Sequence, residues 1–587
     1  MSNRLTYIIA AFLLFLMFSL ALLSIRDDSF TFDETAHVTA GFSYLTQKDM
    51  RLNPEHPPLI KDLAALPLLF LNLNFPKDHP SWTQKDNPVW WQQFEIGSQF
   101  LYHSGNNPDQ ILFWSRIPMI LLLIFLGWFL FHWTKELFGP KAALLTLFLF
   151  SFSPTFLAHG RLVTTDVGAA LGVVLSTYFW LRFLKDPTKK NVFLTGLIFG
   201  LVMLFKFSLI LLIPFFAFLT LIYALLKGKK YILKYFGLAL LVGIVGVVFV
   251  IWPVYQYHVW NYPVERQIRD TQFLLDTSSI PKPLIAINKW LSTQPIFRPI
   301  SQYLLGVFLA VNRSSTGNTT YFLGEVSAAG WKNYFPTVYL IKEPLTFHIL
   351  TLIALLYAAW LIKKPFWQNT FFRVKGWIKS HFPEFAMLTF IALYWFTSLT
   401  SKLNIGVRHL LPVFPLTIIL VSATIISWLK RPFLKIRYFF LGVLILWQII
   451  SVISIYPHFL AYFNELVGGP DKGYIYVVDS NLDWGQDLKR LAKWVKENNV
   501  EKIYLDYFGG GNAEYYLKTK YAPWWGTRDE KEFPKGNYLA ISATFLQGGR
   551  GIPTPWFNQP YGYYYWLDKY TPVAKIGYSI FVYYIVQ

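Results

Sequence analysis

Two acidic residues and a histidine stand together in SFTFDETAHVTAGFSYL: Asp33, Glu34 and His37. Thr31 with Glu34 three residues later fits a capping box, so a helix is expected to start here. On it, Asp33 and His37 are four apart and share a face. A carboxylate so placed can take a proton from a reacting hydroxyl. The structural alternative is that Glu34 closes the cap, Asp33 favours the positive helix end, and the rest is an amphipathic interfacial helix.

A second cluster follows in MRLNPEHPPLIKDLAALPLL, where Arg51, Asn53, Glu55, His56 and Lys61 surround three prolines. Proline fixes φ and removes donors, so PEHPP is expected as a shaped, irregular loop. It is either a rigid turn or, beside an acidic pair at the same surface, a ligand loop. A third is HGRLVTTDVGAA, in which Arg161 and Asp166 flank two threonines able to cap the next helix. A local Arg161–Asp166 ion pair would account for it equally well.

The elements that must carry these groups are membrane helices. Of the 587 residues, 54% are hydrophobic and 15% charged. Uncharged runs recur near the roughly 20 residues needed to cross a hydrocarbon core. Eleven are read as spans, over approximately 5–25, 111–133, 142–158, 167–184, 192–207, 209–226, 236–252, 344–362, 384–400, 410–428 and 438–456. The first is too long for a signal peptide and no small-residue cleavage site follows, so it is taken as a retained helix.

The net charge of +20 is explained without nucleic acid. Basic residues gather in short loops, including Lys185, Lys189 and Lys190; Lys229, Lys230 and Lys234; Lys363, Lys364, Arg373, Lys375 and Lys379; and Lys430, Arg431, Lys435 and Arg437. The positive-inside rule makes these loops cytoplasmic. With no cysteine, disulfides, thiolate metal sites and cysteine nucleophiles are excluded.

Eleven is odd, so a cytoplasmic N-terminus implies an extracytoplasmic C-terminus in a multi-pass cell-membrane protein. Outside then lie residues 26–110, 253–343 and 457–587. A transmembrane catalytic part over 1–456 is expected, followed by a small α/β domain over 457–587. In the latter, YIYVVDS, LDWGQDLKRLAKWVKENN and VEKIYLDYFGG read as strand, amphipathic helix and strand. The GGG at 509–511 lacks a phosphate-binding fingerprint and is read as a turn. Trp82, Trp90, Trp91 and Trp114 are assigned to an interfacial aromatic belt.

Against the cytoplasmic bias, Arg161, Lys206, Lys342, Lys402, Arg408 and His409 fall at outer helix ends. Any one cation can snorkel to the interface. As a set they form an anion site at headgroup depth suited to a phospholipid-like phosphate. Acids near such a site suggest transfer from a lipid phosphate. If the donor is a sugar on polyprenyl phosphate, the leaving group mainly needs charge stabilisation, and one carboxylate suffices to take the acceptor's proton. Asp33 with the cations is the minimum set.

FDETAH, RLNPEHPPLIK, GRLVTTD and SKLNIGVRHLLPVFP, in this order, resemble the membrane glycosyltransferases of the GT-C superfold. The resemblance is nearest to the protein O-mannosyltransferases and the lipid A aminoarabinose transferases. YFLGEVSAAGWKNYFPTVYLIKEPL and SNLDWGQDLKRL resemble a prokaryotic branch of that group. The resemblance implies an inverting transfer of a monosaccharide from a polyprenyl-phosphate carrier to a hydroxyl of a protein, lipid or glycan on the non-cytoplasmic face. It implies Asp33 as the catalytic acidic residue with Glu34 as its neighbour, and a donor- or acceptor-binding loop from His56 to Lys61. Arg161, Asp166 and Lys206 would lie near the donor phosphate or sugar, beside the cation set Lys402, Arg408 and His409. Glu343 departs from the small uncharged residue expected before Pro344, which weakens a phosphate-ligand role for Lys342.

No cofactor is required by this scheme. Asp33, Glu34, His56 and Asp166 are nevertheless hard ligands that could take Mg²⁺ or Mn²⁺. A transporter or flippase of a lipid-linked sugar would use the same cations without Asp33 as base. A receptor-like protein with an outer binding domain would leave the intramembrane Lys206 unexplained.

Overall fold

The computed structural model describes residues 2–83, 89–362 and 368–586, so Lys363 and Lys364 lie outside the described residues. Each of the eleven apolar runs is helical. Among the described residues seven helices are long and apolar enough to cross a membrane: Asn3–Ser24, Pro108–Phe138, Asp166–Lys185, Phe207–Lys227, Lys229–His258, Phe382–Thr400 and Lys435–Ser454. An eighth crossing forms if Tyr334–Lys342 and Leu345–Trp360, bent by 111°, are one span. Length and composition therefore support seven or eight crossings where the sequence suggested eleven.

The three remaining runs are short because their ends unwind. Pro140–Ser151 has 12 residues and Lys189–Met203 has 15, or about 18 and 22 Å at a rise of about 1.5 Å per residue. Phe414–Leu429 has 16. The run expected over 142–158 breaks at Ser153, which is extended (φ −93°, ψ 115°) before Pro154. Proline pushes its predecessor out of the helical region, and the chain restarts as the short helix Pro154–His159. Past Met203 the chain is irregular at Lys206 (φ −156°, ψ 136°) before the turn Phe207–Leu211. Irregular backbone at membrane depth is tolerated where it is buried in protein or lines a cavity. Residues 160–165, 204–206 and 401–413 are such stretches, and they carry most of the cations singled out by sequence.

Chain direction separates the two ends of the bundle. Helices Asp166–Lys185, Phe207–Lys227 and Phe414–Leu429 all begin beside these irregular stretches and run away from them. The basic loops near 185–190, 227–234 and 430–437 follow their far ends. Charge and topology thus give the same alternation.

The two long segments expected outside the membrane before the C-terminal part are mainly helical. The first contains Phe32–Gln47, Leu59–Ala65 and Val89–Ser98; the second contains Val264–Asp276, Lys282–Thr293, Arg298–Thr316 and a hairpin of Thr320–Phe322 with Glu325–Ser327. The C-terminal part is built on a five-stranded sheet in the order Tyr521–Pro523, Ile503–Asp506, Asn537–Ser542, Ile580–Ile585, Ala574–Ile576. Helix Leu488–Glu497 packs Leu488, Leu491 and Val495 into its core. The strand expected at YIYVVDS does not form: Gly473–Ile475 is a 3₁₀ turn, and Val477 makes a single bridge to Phe322. That apolar run is instead consumed as packing, with Val477 and Val478 buried.

This part is docked onto the helix that carries Asp33. Ser29 N donates to Gln486 O (2.9 Å) and Phe32 N to Trp484 O (3.0 Å). Thr35 Oγ1 donates to Gly510 O (2.9 Å), and the Phe32 ring stacks on Phe508 at 5.4 Å. The GGG turn permits this approach, because a Cβ on Gly510 would lie 2.3 Å from both Thr31 O and Thr35 Oγ1. Gly510→Ala is expected to destabilise the protein by about 1–3 kcal/mol through overpacking. Thermal unfolding of the detergent-solubilised chain measures this, and an unchanged midpoint would contradict the docking.

Candidate active site

The two adjacent acids part company at the start of helix Phe32–Gln47. Glu34 is fully buried and closes the capping box, accepting from Thr31 N (2.9 Å) and Thr31 Oγ1 (3.0 Å). It also accepts from Val163 N (2.9 Å) and from Arg116 Nε (2.8 Å) and Nη2 (2.6 Å). Arg116 reaches on to Asp28 Oδ2 at 2.9 Å, and Arg161 Nη1 meets the same oxygen at 2.5 Å. Arg490 pairs with Asp28 Oδ1 at 2.9 Å and with Asp487 at 2.6 Å. Burial opposes the charge of Asp28, but Arg161, Arg490 and Arg116 together hold its carboxyl well below the usual range. Glu34 and Arg161 therefore stand in a buried framework behind the site rather than facing it.

Asp33 points the other way, with its side chain about a quarter exposed. Its Oδ2 accepts from Arg408 Nη1 at 3.0 Å, and its Oδ1 takes no hydrogen bond from the described residues. His37, four residues on, shares this face as expected: its Nδ1 meets Val163 O at 2.8 Å and its ring lies edge-on to His56 at 5.0 Å. Burial drives His56 well below its ordinary range, so it stands as a neutral ring.

The proline loop is held from beneath by Lys61. Its Nζ donates to Tyr44 Oη (2.9 Å), Asn53 O (2.9 Å), Asn53 Oδ1 (3.0 Å) and His56 O (2.9 Å). Asn53, at φ 46°, is in the left-handed region where that wrap is made. Fully buried, Lys61 is a clamp that shapes the loop and does not line the cavity.

On the opposite wall Asp166, the first residue of helix Asp166–Lys185, holds two cations. Lys206 Nζ lies 2.5 Å from Oδ1 and Arg408 Nη1 lies 3.5 Å from Oδ2. The expected Arg161–Asp166 pair is not made, since Arg161 turns to Asp28 and Ser24 O. Arg408 is fixed further by Ser480 Oγ, which accepts from Nε at 3.0 Å, and by Trp484, whose ring lies 4.1 Å from the guanidinium. Lys342 is buried elsewhere, donating to Leu460 O, Tyr462 O and Asn481 O at 2.6–2.9 Å.

Between these walls is a cavity of about 660 Å³. Asp33, His37, Glu55, His56, Lys206, Arg313, Lys402, Arg408 and His409 line its polar side; Phe207, Ile210, Leu211, Ala310, Val311 and Phe335 line an apolar side. Lys402 is exposed at the rim and has no ion-pair partner among the described residues. His409 Nε2 is buried and unpartnered, and burial holds the ring well below its ordinary range. Four cations (Lys206, Arg313, Lys402, Arg408) thus line the cavity with two carboxylates (Asp33, Glu55), and Asp166 stands just behind the lining, paired with Lys206 and Arg408. Burial pushes Glu55 up to about 7, against the opposing pull of Arg313 at 3.4 Å, so the balance near neutral pH tips further positive.

The metal candidates do not converge. Asp33 faces Arg408, Glu34 is closed by Arg116, and Asp166 is shared by Lys206 and Arg408. Among the described residues no group of three His, Asp or Glu side chains is placed to hold an ion. The four tryptophans also divide: Trp82 is buried beneath Arg51 (4.0 Å), Trp90 lines the cavity under Arg313 (5.0 Å), and Trp91 and Trp114 are exposed.

Several contributors are not identified by sequence reasoning. Arg116 lies inside an apolar run, where a lone arginine was the available signal, and Asp28 lies just after one, in the charged stretch Arg26–Asp27–Asp28. Arg313 carries no local signal. Asp479, in the left-handed region at φ 55°, brings a carboxyl that burial pushes up to about 6, against the opposing pull of Arg408.

Residues 109–255 match the family described as dolichyl-phosphate-mannose-protein mannosyltransferase, the group to which the sequence motifs point. No curated protein matches the chain. Among solved structures, the chain is similar to the archaeal oligosaccharyltransferase AglB from Archaeoglobus fulgidus, solved with an inhibitory peptide and a dolichol-phosphate. That similarity has 10% identity and a TM-score of 0.48, covering 93% of this chain and 71% of that one. It is also similar to ArnT from Cupriavidus metallidurans bound to undecaprenyl phosphate, with 13% identity and a TM-score of 0.30, over 99% of this chain and 98% of that one.

The opposite surroundings of the adjacent acids are separable by stability. Glu34→Ala strips buried Arg116 of one of its two carboxylate partners, opens the capping box, and is expected to cost about 3–5 kcal/mol. Asp33→Asn, at a partly exposed pair, is expected to cost no more than about 1 kcal/mol. Parallel unfolding curves of the two variants measure the difference, and equal losses would contradict the assignment.

Proposed function

We propose that the chain is a membrane glycosyltransferase that moves a monosaccharide from a polyprenyl-phosphate carrier to a hydroxyl acceptor, with inversion at the anomeric carbon. The observation that carries this is the juxtaposition, in one cavity, of an accessible carboxylate, an excess of cations and an apolar wall. A sugar phosphate on an isoprenoid tail has the complementary parts: an anionic head for Lys206, Arg408 and Lys402, and a chain for the side of Phe207, Ile210, Leu211 and Val311.

In the proposed step the acceptor oxygen attacks the anomeric carbon as the bond from that carbon to the phosphate oxygen breaks. Asp33 Oδ1 takes the acceptor's proton while Oδ2 remains on Arg408. Charge gathers on the departing polyprenyl phosphate, where the cations stabilise it. Asp166 fixes Lys206 and Arg408 relative to each other, so that stabilisation is in place before the reaction. His56 and Glu55 bring polar groups to the same wall for sugar or acceptor hydroxyls. The cavity would face the non-cytoplasmic side, with the N-terminus inside and the C-terminus outside. Support for this comes from the basic loops at the other end of the bundle.

Purified protein given radiolabelled polyprenyl-phosphate sugar and an acceptor extract tests the reading. Asp33→Asn is expected to lower transfer by about 10²–10⁴-fold while leaving donor binding near the wild-type level. Full activity in that variant would remove Asp33 as the base. Unchanged donor in the wild-type reaction, with lipid-linked sugar crossing vesicles in both proteins, would establish a transporter instead.

A further inference from the structure

The end of the bundle opposite the cavity carries a second concavity of about 640 Å³, where Leu345–Trp360 and Phe414–Leu429 end and Leu434–Ser454 begins. Aromatic and aliphatic side chains form its walls, among them Ile353, Leu356, Tyr357, Trp360 and Trp428, and its charged members are Arg431 and Arg437. The Arg431 guanidinium lies 5.4 Å from the Trp360 ring, and its Nε donates to Tyr357 Oη at 2.9 Å. Arg437 lies 4.7 Å from the Trp428 ring and donates from Nη1 to Trp428 O at 2.6 Å.

These contacts orient both guanidiniums without neutralising them. Neither pairs with a carboxylate among the described residues, and stretches 361–383 and 430–437 contain no Asp or Glu. Guanidiniums stacked on aromatic rings keep a fork free for a phosphate. The apolar wall continues outward along exposed Leu352, Leu356 and Trp360, which gives a chain-like group a path beside the head. Helix Thr370–Ser380 belongs to the same end: none of its residues is buried, Phe371 and Phe372 are over 70% exposed, and Lys375 and Lys379 lie on it. An exposed helix that mixes large apolar and basic side chains is suited to lie in an anionic interface.

We propose that this groove binds one intact anionic phospholipid from the leaflet opposite the cavity. Its phosphodiester sits between Arg431 and Arg437, and an acyl chain runs along Ile353, Leu356 and Trp360. Free phosphate would use the arginines and leave the apolar wall bare; a zwitterionic lipid would leave the two positive charges without net compensation.

The test uses the delipidated full chain in neutral detergent, with phosphatidylglycerol, phosphatidylcholine and inorganic phosphate as probes and native mass spectrometry as readout. Phosphatidylglycerol is expected to bind with a preference of about 10-fold or more over phosphatidylcholine, and Arg431→Gln with Arg437→Gln to lower its affinity by a similar factor. Lys375→Gln with Lys379→Gln, outside the groove, is expected to change it by less than about threefold. Should the glutamine pair fail to fold, Arg431→Lys with Arg437→Lys keeps the charge, removes the forks and is expected to weaken binding partially. Equal losses in the groove and helix pairs, no preference between the two lipids, undiminished binding in the lysine pair, or displacement by millimolar inorganic phosphate would each overturn the site.

Discussion

Asp28 and Glu34, both without solvent contact, share Arg116, and segments from four parts of the chain converge on that arrangement of charge. A buried carboxylate is costly unless paired and hydrogen-bonded, and here the donors to the two carboxylates come from several parts of the chain. Arg116 comes from helix Pro108–Phe138, Arg161 from the connection after Pro154–His159, Val163 N from the same connection, and Arg490 from the C-terminal part. Such a network contributes little net stability compared with an apolar core. What it does is fix the relative positions of segments that are far apart in sequence, and those segments surround the cavity.

That constraint explains how neighbouring acids come to differ. Successive residues on a helix point about 100° apart, so a helix whose cap is locked by Glu34 must present Asp33 to a different environment. The lock is on the protein side, where Arg116 and Val163 N close over Glu34. Asp33 is left against the cavity with a single cation and one unengaged oxygen. An amphipathic interfacial helix would not need such a lock. Spacing assigned Glu34 to the cap and Asp33 to the chemistry, but kept both acids in one site, because the arginine that closes over Glu34 comes from a distant helix.

Legibility follows the range of the interaction. The capping box, the shared face of Asp33 and His37, and the irregular PEHPP loop are local and were readable from spacing. The apolar runs were readable too, but their ends were not. Pro154 and the unwinding at Lys206 shorten helices that hydropathy alone extends. Arg161 and Lys342 were grouped with the cavity cations, and Lys61 with the ligand loop, because sequence gives depth but not direction. All three turn to backbone carbonyls or buried acids of other segments. Lys206, Lys402, Arg408 and His409 do line the cavity. The apolar stretch at 474–478 has a strand's composition, and tertiary packing overrides it.

The C-terminal part is more than an appendage to the membrane helices. Ser480 and Trp484 fix two faces of Arg408, and Gly406 lies so close to Ser480 that a Cβ there would meet Oγ at 2.2 Å. Arg408 in turn is the only cation that touches both Asp33 and Asp166 among the described residues. Loss of the C-terminal support would therefore free the guanidinium to swing toward either acid, and the spacing between Asp33 and Asp166 would no longer be set. Domain boundaries drawn by composition put 480–487 outside the catalytic part; by position it is a wall behind the cavity. Its link to Asp33 runs both through Arg408 and through the backbone bond from Phe32 N to Trp484 O, so the C-terminal part and the membrane helices share one cavity.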